Sequence, residues 1–163
     1  MNASVIKHIL TSDAYASMWY KGFSTPDLNI PRPSKVDARK PHLYILNTDT
    51  SDGPGEHWCV AILFSNRDIC EFFDPLGFPP NYYGFEKPLL RHCSKIKFNE
   101  YRVQSTSSST CGHHCLFFAL NRARNISPEK ILSKYSHFNF NKNDHMVYDF
   151  VVSNYGHVFA QTS

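Results

Sequence analysis

The sequence predicts an α+β fold in which helices flank a central group of antiparallel strands. Short runs rich in branched and aromatic residues lie in the middle of the chain, and apolar residues at helical spacing lie before and after them. Hydrophobic residues make up 42% of the chain and charged residues 19%, which favours a packed core over disorder. The length is that of one domain, so we expect residues 1–163 to fold as a single domain.

The first half of the chain predicts one helix and three strands. Residues 4–20 are predicted to be helical, because the apolar residues between Val5 and Leu10 recur at helical spacing. The next segment contains four prolines between positions 26 and 41 and is predicted to be irregular. Three short apolar runs then predict strands, at 43–47, 57–65 and 69–73. The polar turn 65–68 joins the last two strands as a hairpin.

The second half of the chain predicts helices around one further strand. Residues 82–92 are an ambiguous helix, and residues 95–104 alternate in polarity and predict a strand that could contain a bulge. Three more helices are predicted: a buried one at 111–124, a short one that starts at Pro128 with Ser127 as its N-cap, and an amphipathic one at 143–155.

Composition excludes several classes of protein. The longest unbroken apolar run, Trp58 to Phe64, is too short to span a bilayer. Lys7 and His8 interrupt any apolar signal-peptide block, so we expect a protein of the cytoplasm or nucleus that is not secreted. Five cysteines are an odd number in a reducing compartment, so no disulfide scaffold is expected. A net charge of +3 permits an acidic partner but does not require one.

Four residues together fit the requirements of cysteine-based acyl transfer. Such chemistry needs an activated thiol, a histidine that moves a proton, a group that orients the histidine, and donors for the oxyanion. Cys111 follows the polar run 105–110 and opens a predicted helix, whose dipole favours a thiolate. His57 starts a strand after a Gly-rich turn, and Asp74 ends the next strand. Gln104 lies seven residues before Cys111, within reach of the oxyanion.

Each of these residues also has an ordinary structural interpretation. A single cysteine at a helix start is more often a small buried apolar residue. His57 beside Trp58 is compatible with a structural histidine, and Asp74 before Pro75 is compatible with a simple turn. Gln104 by itself carries almost no signal. The combination of the four residues indicates catalysis more strongly than any one of them does.

The motifs around these residues resemble those of the adenain family, the cysteine proteases of adenoviruses with relatives in Maverick/Polinton elements and other DNA viruses. The resemblance rests on three segments: Gly55-Glu56-His57-Trp58, Phe73-Asp74-Pro75-Leu76-Gly77-Phe78, and Gln104 followed after six residues by Cys111-Gly112. It runs from about residue 20 through residue 120. The order of the four residues also resembles the wider clan that includes proteases for SUMO-like modifiers.

The resemblance implies a fold, an activity and site roles. The fold is a central mixed, largely antiparallel sheet flanked by helices, the adenain-like form of the papain-like fold. Cys111 is the implied nucleophile, His57 the proton shuttle, Asp74 the orienting acid and Gln104 the oxyanion donor. The implied function is a monomeric thiol protease of virion maturation, a hydrolase that cuts capsid and core precursors at Gly-containing sites in the host nucleus or cytoplasm and in the virion. No cofactor for the chemistry, no metal and no membrane partner are expected.

Two alternative functions stay open. One is a deconjugating protease for ubiquitin-like modifiers, and the other is a non-catalytic module that binds nucleic acid or zinc. Asp74 stands where adenoviral members often have Glu, and His113-His114 replace apolar residues of the nucleophile helix. Zinc ligands at Cys111, His113, His114 and Cys115 point in diverging directions on a helix, which leaves only a two-ligand site completed by His92 or Cys93.

The remaining candidate functional residues are two further cysteines and two basic clusters. Cys115 lies one helical turn after Cys111 and is expected to face the core. Cys93 lies eighteen residues before Cys111, which is the spacing at which adenoviral members carry a cysteine that forms a disulfide with an activating peptide. The resemblance therefore implies Cys93 as a candidate site for such a peptide. DNA is a second candidate activator, on two basic clusters: Arg91, Lys95, Lys97 and Arg102, and Arg122, Arg124, Lys130 and Lys134.

Overall fold

A computed structural model of the chain, which describes residues 1–161, contains a five-stranded sheet with helices on both faces. The strands are β1 (Tyr20–Ser24), β2 (His42–Asn47), β3 (Trp58–Phe64), β4 (Ile69–Phe73) and β5 (Lys95–Phe98). They lie in sequence order across the sheet. The central strands β2, β3 and β4 are antiparallel, whereas β1 and β5 pair in parallel at the two edges. The α+β class and the mixed, largely antiparallel sheet are thus confirmed.

The helices are α1 (Ala3–Ser12), α2 (Glu86–Leu90), α3 (Cys111–Ala123), α4 (Pro128–Leu132) and α5 (Phe140–Gln161). Asn2 caps α1 through its side-chain oxygen, which accepts a hydrogen bond from the backbone N–H of Val5. Ser127 caps α4 in the same way, as the sequence predicts. α5 changes direction at Tyr155, whose backbone is not helical. No helix among residues 1–161 is apolar over a length that would cross a bilayer.

β3 explains how the sheet is buried on both faces. All of its residues after Trp58 are apolar and buried, as expected for a strand that is covered from two sides. Val60, Ile62 and Phe64 face the larger core, which α1, α3 and α5 build with the sheet. Alternate residues such as Ala61 and Leu63 face a smaller core under α2.

Several predicted boundaries differ from the structure for local reasons. The predicted helix 4–20 ends at Ser12, because the side chain of Asp13 accepts the backbone N–H groups of Tyr15 and Ala16 and turns the chain. The missed strand β1 begins eight residues later. The predicted strand 95–104 stops at Phe98, where Asn99 turns inward to bind the backbone of Asp74. The helix predicted at 82–92 is reduced to α2.

Candidate active site

The hairpin of β3 and β4 brings His57 and Asp74 together. His57 directly precedes β3 and Asp74 directly follows β4, and the antiparallel register that pairs Val60 with Phe73 places both residues at one end of the hairpin. Nε2 of His57 lies 2.6 Å from Oδ1 of Asp74. The imidazole is therefore held by Nε2, which leaves Nδ1 facing away from the carboxylate.

The Asp74 carboxylate is fully buried and has a hydrogen-bond partner for each oxygen. Besides His57, Oδ1 accepts the backbone N–H of Leu76 at 2.9 Å. Oδ2 accepts the backbone N–H of Phe78 at 3.0 Å and the hydroxyl of Tyr83 at 2.8 Å. A carboxylate with four donors is fixed in orientation, so it can hold one tautomer of the histidine.

Gly77 allows the turn after Asp74 to close against the chain that leads to Gln104. Its φ is +76°, and a Cβ at this position would come within 2.5 Å of the backbone of Tyr101. The carbonyl of Pro75 in the same turn accepts the backbone N–H groups of Val103 and Gln104. The turn that binds the carboxylate thus also supports the backbone of Gln104.

Cys111 is the first residue of α3 and is half-buried. Burial raises the pKa of its thiol, but the hydrogen bond with His57 and the backbone N–H groups of Trp58 and Gly112 outweigh burial, and the pKa lies below its ordinary value. These donors and the start of the helix all favour the thiolate. Cys111 is therefore placed and polarised as a nucleophile.

His57 joins the thiol to the carboxylate. It binds Asp74 through Nε2, and it interacts electrostatically with the Cys111 thiol. Burial lowers the pKa of His57, but these two partners outweigh burial and raise the pKa to about 9. A raised histidine pKa next to a lowered thiol pKa favours the imidazolium–thiolate form of the pair.

Gln104 lies on the wall of the same cleft but is engaged by its own loop. Its Nε2 donates to the carbonyl oxygen of Ser108 at 3.0 Å and contacts the Ser108 hydroxyl at 3.3 Å. Its Oε1 is buried and has no hydrogen-bond partner within residues 1–161. An oxyanion that approaches the amide of Gln104 must therefore replace one contact with Ser108.

A cleft of about 650 Å³ opens over these groups. It is lined by residues 1–3, by the segment 54–58, by Leu76 and by parts of 104–111. The indole N–H of Trp58 donates to the carbonyl of Met1 at 3.1 Å, which fixes the start of the chain beside the thiol. The bare face of Gly112, the residue after Cys111, packs against Met1 and Ile6.

The other cysteines of this region face the core. Cys115 is fully buried, and its thiol contacts the carbonyl of Trp58 at 3.2 Å. Burial raises the pKa of Cys115 well above its ordinary value, and the same holds for the fully buried Cys59. Both thiols are therefore poor nucleophiles at neutral pH.

The cysteines and histidines of α3 do not gather around one point. His114 is hydrogen-bonded to Asp144, while His113 packs against the ring of Tyr148. One group of three metal-ligating residues does gather within residues 1–161: His57, Cys59 and Asp74. The 2.6 Å between the His57 and Asp74 atoms is a hydrogen-bond distance, shorter than the roughly 3.3 Å between two ligands of one tetrahedral zinc ion. This arrangement does not fit a zinc site.

The sequence predicts no disulfide scaffold and makes Cys93 a candidate for a disulfide with an activating peptide, and the structure corrects the first of these expectations. Cys93 is 5% exposed and forms a disulfide with Cys70 of β4. The two residues are 23 apart in sequence, and their pairing depends on the parallel contact of β4 with β5. A partner that forms a disulfide with Cys93 must therefore displace Cys70.

Arginines of the second basic cluster are engaged in ion pairs inside the protein. Arg122 is buried and binds both carboxylate oxygens of Glu71 at 2.8 Å. Arg124 binds Asp13 at 2.7 Å, which joins α3 to the end of α1. This cluster is thus less available to an anionic partner than its sequence predicts.

Tyr83 and Asn99 are site residues that sequence reasoning missed. Tyr83 donates to Asp74, and its ring lies beside that of His57. The side chain of Asn99 bonds both the N–H and the carbonyl of Asp74. No motif or spacing marks either residue, because each reaches Asp74 through the packing of separate segments.

Comparison with known proteins gives relatives among viral proteases. The chain is 31% identical over 110 residues to the cysteine protease S273R of African swine fever virus, over 58% of this chain and 36% of that protein. In other isolates of that virus the protein is named SUMO-1 cysteine protease S273R. The chain is 27% identical over 128 residues to the protease of bovine adenovirus 4, over 71% of this chain and 61% of that protein. The predicted resemblance to adenovirus proteases is confirmed.

These matches cover parts of longer proteins. The chain matches 36% of the length of the African swine fever virus protease and 61% of the bovine adenovirus 4 protease. The crystal structure of selenomethionine pS273R protease from African swine fever virus aligns with 64% of this chain and 41% of that chain, at 24% identity and a TM-score of 0.41. No family model matches the chain.

Proposed function

We propose that this chain is a cysteine endopeptidase in which Cys111 is the nucleophile. The observation that carries the proposal is the position of the His57 ring, which shares a cleft with the Cys111 thiol and lies 2.6 Å from the buried Asp74 carboxylate. Acyl transfer by a cysteine needs this order of groups. The sequence similarity to viral proteases supports the same function.

The mechanism uses the groups of the cleft in sequence. The Cys111 thiolate attacks the scissile carbonyl carbon, and a C–S bond forms while the carbonyl oxygen becomes an oxyanion. The backbone N–H of Cys111 and the amide of Gln104 stabilise that oxyanion. His57 then gives its proton to the leaving amine as the C–N bond breaks. A water molecule, deprotonated by His57, hydrolyses the thioester and restores the thiolate, while Asp74 keeps the ring in place.

The proposed biological role is maturation of a virus or mobile element. The substrates are capsid and core precursor proteins cut at Gly-containing sites, and the enzyme works as a monomer in the host nucleus or cytoplasm and in the virion. The adenovirus relative supports this role by its similarity over 71% of the chain. The cleft of about 650 Å³ beside the thiol has room for a segment of such a precursor.

A second candidate function is removal of ubiquitin-like modifiers. It is favoured by the name SUMO-1 cysteine protease that the African swine fever virus relative carries. Both functions use the same chemistry and cleavage next to glycine. They differ in what lies before the glycine, which is an unstructured precursor segment in one case and a folded modifier in the other.

Activation by a peptide through Cys93, and by DNA, is a further part of the proposal. Because Cys93 is bonded to Cys70, the peptide cysteine would enter by thiol–disulfide exchange: its thiolate attacks Cys93 Sγ, and Cys70 leaves as a thiolate. DNA would bind at the cluster around Lys95 and Lys97, which lies on the exposed edge strand β5.

Peptidase assays of Cys111→Ala and Cys115→Ala test the proposed function. A fluorogenic peptide amide with Gly-Gly before the scissile bond is the substrate, and circular dichroism checks folding. We expect Cys111→Ala to be inactive and Cys115→Ala to keep most of its activity, because His57 lowers the pKa of Cys111 whereas the buried Cys115 thiol contacts the carbonyl of Trp58. Equal loss of activity in the two folded variants would overturn the assignment, and cleavage by folded Cys111→Ala would overturn the function. A Gly-Gly-linked ubiquitin-like substrate in the same assay separates the two candidate functions.

A further inference from the structure

The segment between Gln104 and Cys111 is anchored by one carboxylate from a distant helix. Oδ1 of Asp144, in the first part of α5, accepts the backbone N–H of Ser105 at 3.3 Å and the hydroxyl of Thr110 at 3.0 Å. Ser105 directly follows Gln104, and Thr110 directly precedes Cys111. Asp144 therefore holds both ends of the segment that separates the amide donor from the nucleophile.

The nucleophile helix in turn holds Asp144. His114 lies three residues after Cys111, and its Nε2 is 2.8 Å from the same Oδ1 of Asp144. The His114 side chain is fully buried, and its Nδ1 lies 3.2 Å from the hydroxyl of Tyr135. Since the tyrosine hydroxyl can donate to Nδ1, the neutral ring carries its proton on Nε2 and donates it to Asp144.

The residue next to Asp144 fixes the other side of Gln104. The amide of Asn143, which is buried, donates to the carbonyl of Val103 at 2.9 Å. Val103 and Ser105 flank Gln104 in the chain, so α5 binds the backbone on both sides of it. Two buried side chains with several matched partners each are a stiff connection, because leaving any of these polar groups unpaired is costly.

We infer that Asp144 is a positioning residue that sets the distance between the Gln104 amide and the Cys111 sulfur, an inference that rests on the proposed peptidase function. Asp144 touches neither the thiol nor His57. It acts through the loop 105–110, whose inner residue Ser108 is the partner of the Gln104 amide. Displacement of an oxyanion donor by an ångström lowers the rate of the chemical step without changing the nucleophile.

Alkylation of Cys111 separates this role from a general structural one. Iodoacetamide reacts with the thiolate by displacement of iodide and forms no oxyanion, so its rate reports the Cys111–His57–Asp74 side of the site alone. Cleavage of the Gly-Gly peptide amide reports both sides. A residue that positions Gln104 changes kcat for cleavage and leaves the alkylation rate unchanged, whereas a residue that merely supports the fold changes both.

The experiment compares wild type with Asp144→Ala, Asp144→Asn, Thr110→Val and a matched control, Asp149→Asn. Asp149 lies on the same helix and is exposed. We expect Asp144→Ala to lower kcat about 10- to 100-fold, a part of the loss seen on deleting an oxyanion donor, with alkylation of Cys111 within about twofold of wild type. Asp144→Asn keeps an acceptor oxygen and recovers most of the rate. Thr110→Val removes one anchor at similar volume and lowers kcat by a smaller factor, and Asp149→Asn has no effect.

Several outcomes would overturn the inference. Wild-type kcat in folded Asp144→Ala would do so, and so would a parallel fall of alkylation and cleavage. If Asp144→Ala does not fold, Thr110→Val decides: an unchanged kcat rejects the role, and a selective fall in kcat supports it. A wild-type chain that cleaves nothing would overturn the proposed function itself, and with it this inference, whereas an active wild type with unaffected variants rejects the positioning role alone.

Discussion

The two sides of the cleft are built in different ways. The acid–base side consists of His57 and Asp74 at one end of the β3–β4 hairpin, and Asp74 has a donor for each of its oxygens. The oxyanion side is a loop between a strand end and α3, and its amide donor, Gln104, binds Ser108 of the same loop. The sheet fixes the first side, and side chains from α5 fix the second.

This difference separates groups that are placed before substrate binds from a group that must rearrange during the reaction. The proton-transfer groups are in place before any substrate arrives, because the sheet register and a fully bonded carboxylate leave them little freedom. The oxyanion donor must exchange one hydrogen bond for another during the reaction. The cost of that exchange falls on the chemical step, so the loop is the part of the molecule through which activity is most easily adjusted.

Among these variants, Gln104→Ala is expected to have the largest effect on kcat, and that effect is confined to the oxyanion side of the cleft. Removal of one oxyanion donor lowers kcat about 10²- to 10³-fold, while the rate of Cys111 alkylation stays near that of wild type, because Gln104 does not contact the thiol–imidazole pair. The two rates are measured on one protein preparation, the first by cleavage of the fluorogenic peptide and the second by iodoacetamide labelling of Cys111. A parallel fall of the two rates would mean that Gln104 supports the acid–base side instead.

Asp74→Asn impairs the acid–base side of the cleft and is expected to lower kcat by a smaller factor. The hydrogen bond and charge of Asp74 help to raise the pKa of His57 to about 9 against the lowering effect of burial, so their loss lowers that pKa. The alkaline limb of the kcat/KM profile, where the imidazolium loses its proton, should move from near pH 9 toward neutrality. We expect kcat to fall about 10- to 100-fold, less than in His57→Ala, since a cysteine–histidine pair keeps some ion-pair character.

The control for this prediction is Glu71→Gln. Glu71 is the next acidic residue toward the N-terminus from Asp74, but it binds Arg122 rather than His57. The Glu71→Gln variant should change the free energy of unfolding without moving the alkaline limb of the kcat/KM profile. An Asp74→Asn variant with full activity and an unchanged profile would remove Asp74 from the mechanism.

The smallest expected effect concerns activation through Cys93. A cysteine-containing peptide from a capsid precursor should raise the activity of the isolated chain, and Cys93→Ser should weaken its apparent affinity about tenfold or more while maximal rate changes little. Cys70→Ser is the matched variant, because it frees the Cys93 thiol and should strengthen peptide binding without reductant. An isolated wild-type chain that is fully active and unchanged by any peptide would reject peptide activation.

Most of the acid–base side could be predicted from the sequence. The runs that form β3 and β4 are strongly apolar, and the turn between them is polar, so the hairpin and the meeting of His57 with Asp74 follow from local pattern. The position of Cys111 at the start of α3 is equally local. The direction of the edge strands could not be predicted from local sequence, because nothing in the residues of β1 marks them as a parallel edge strand.

The oxyanion side could not be predicted to the same depth. Its anchors, Asn143 and Asp144, lie about forty residues after the segment that they bind. The sequence around these two residues is typical of an ordinary helix start. The pairing of Cys70 with Cys93 depends in the same way on the parallel contact of β4 with β5. Such contacts are decided by tertiary packing, which leaves no periodic pattern in one sequence.

The most direct test of Cys111 as the nucleophile is the identity of the cysteine that reacts first. One equivalent of iodoacetamide at pH 6.5, followed by peptide mapping with mass spectrometry, measures labelling at each of the three free thiols, Cys59, Cys111 and Cys115. We expect label on Cys111 alone, with peptidase activity lost in proportion to labelling, because among the three free thiols only that of Cys111 has a lowered pKa. Complete labelling of Cys111 with full retained activity, or preferential labelling of Cys59 or Cys115, would contradict it.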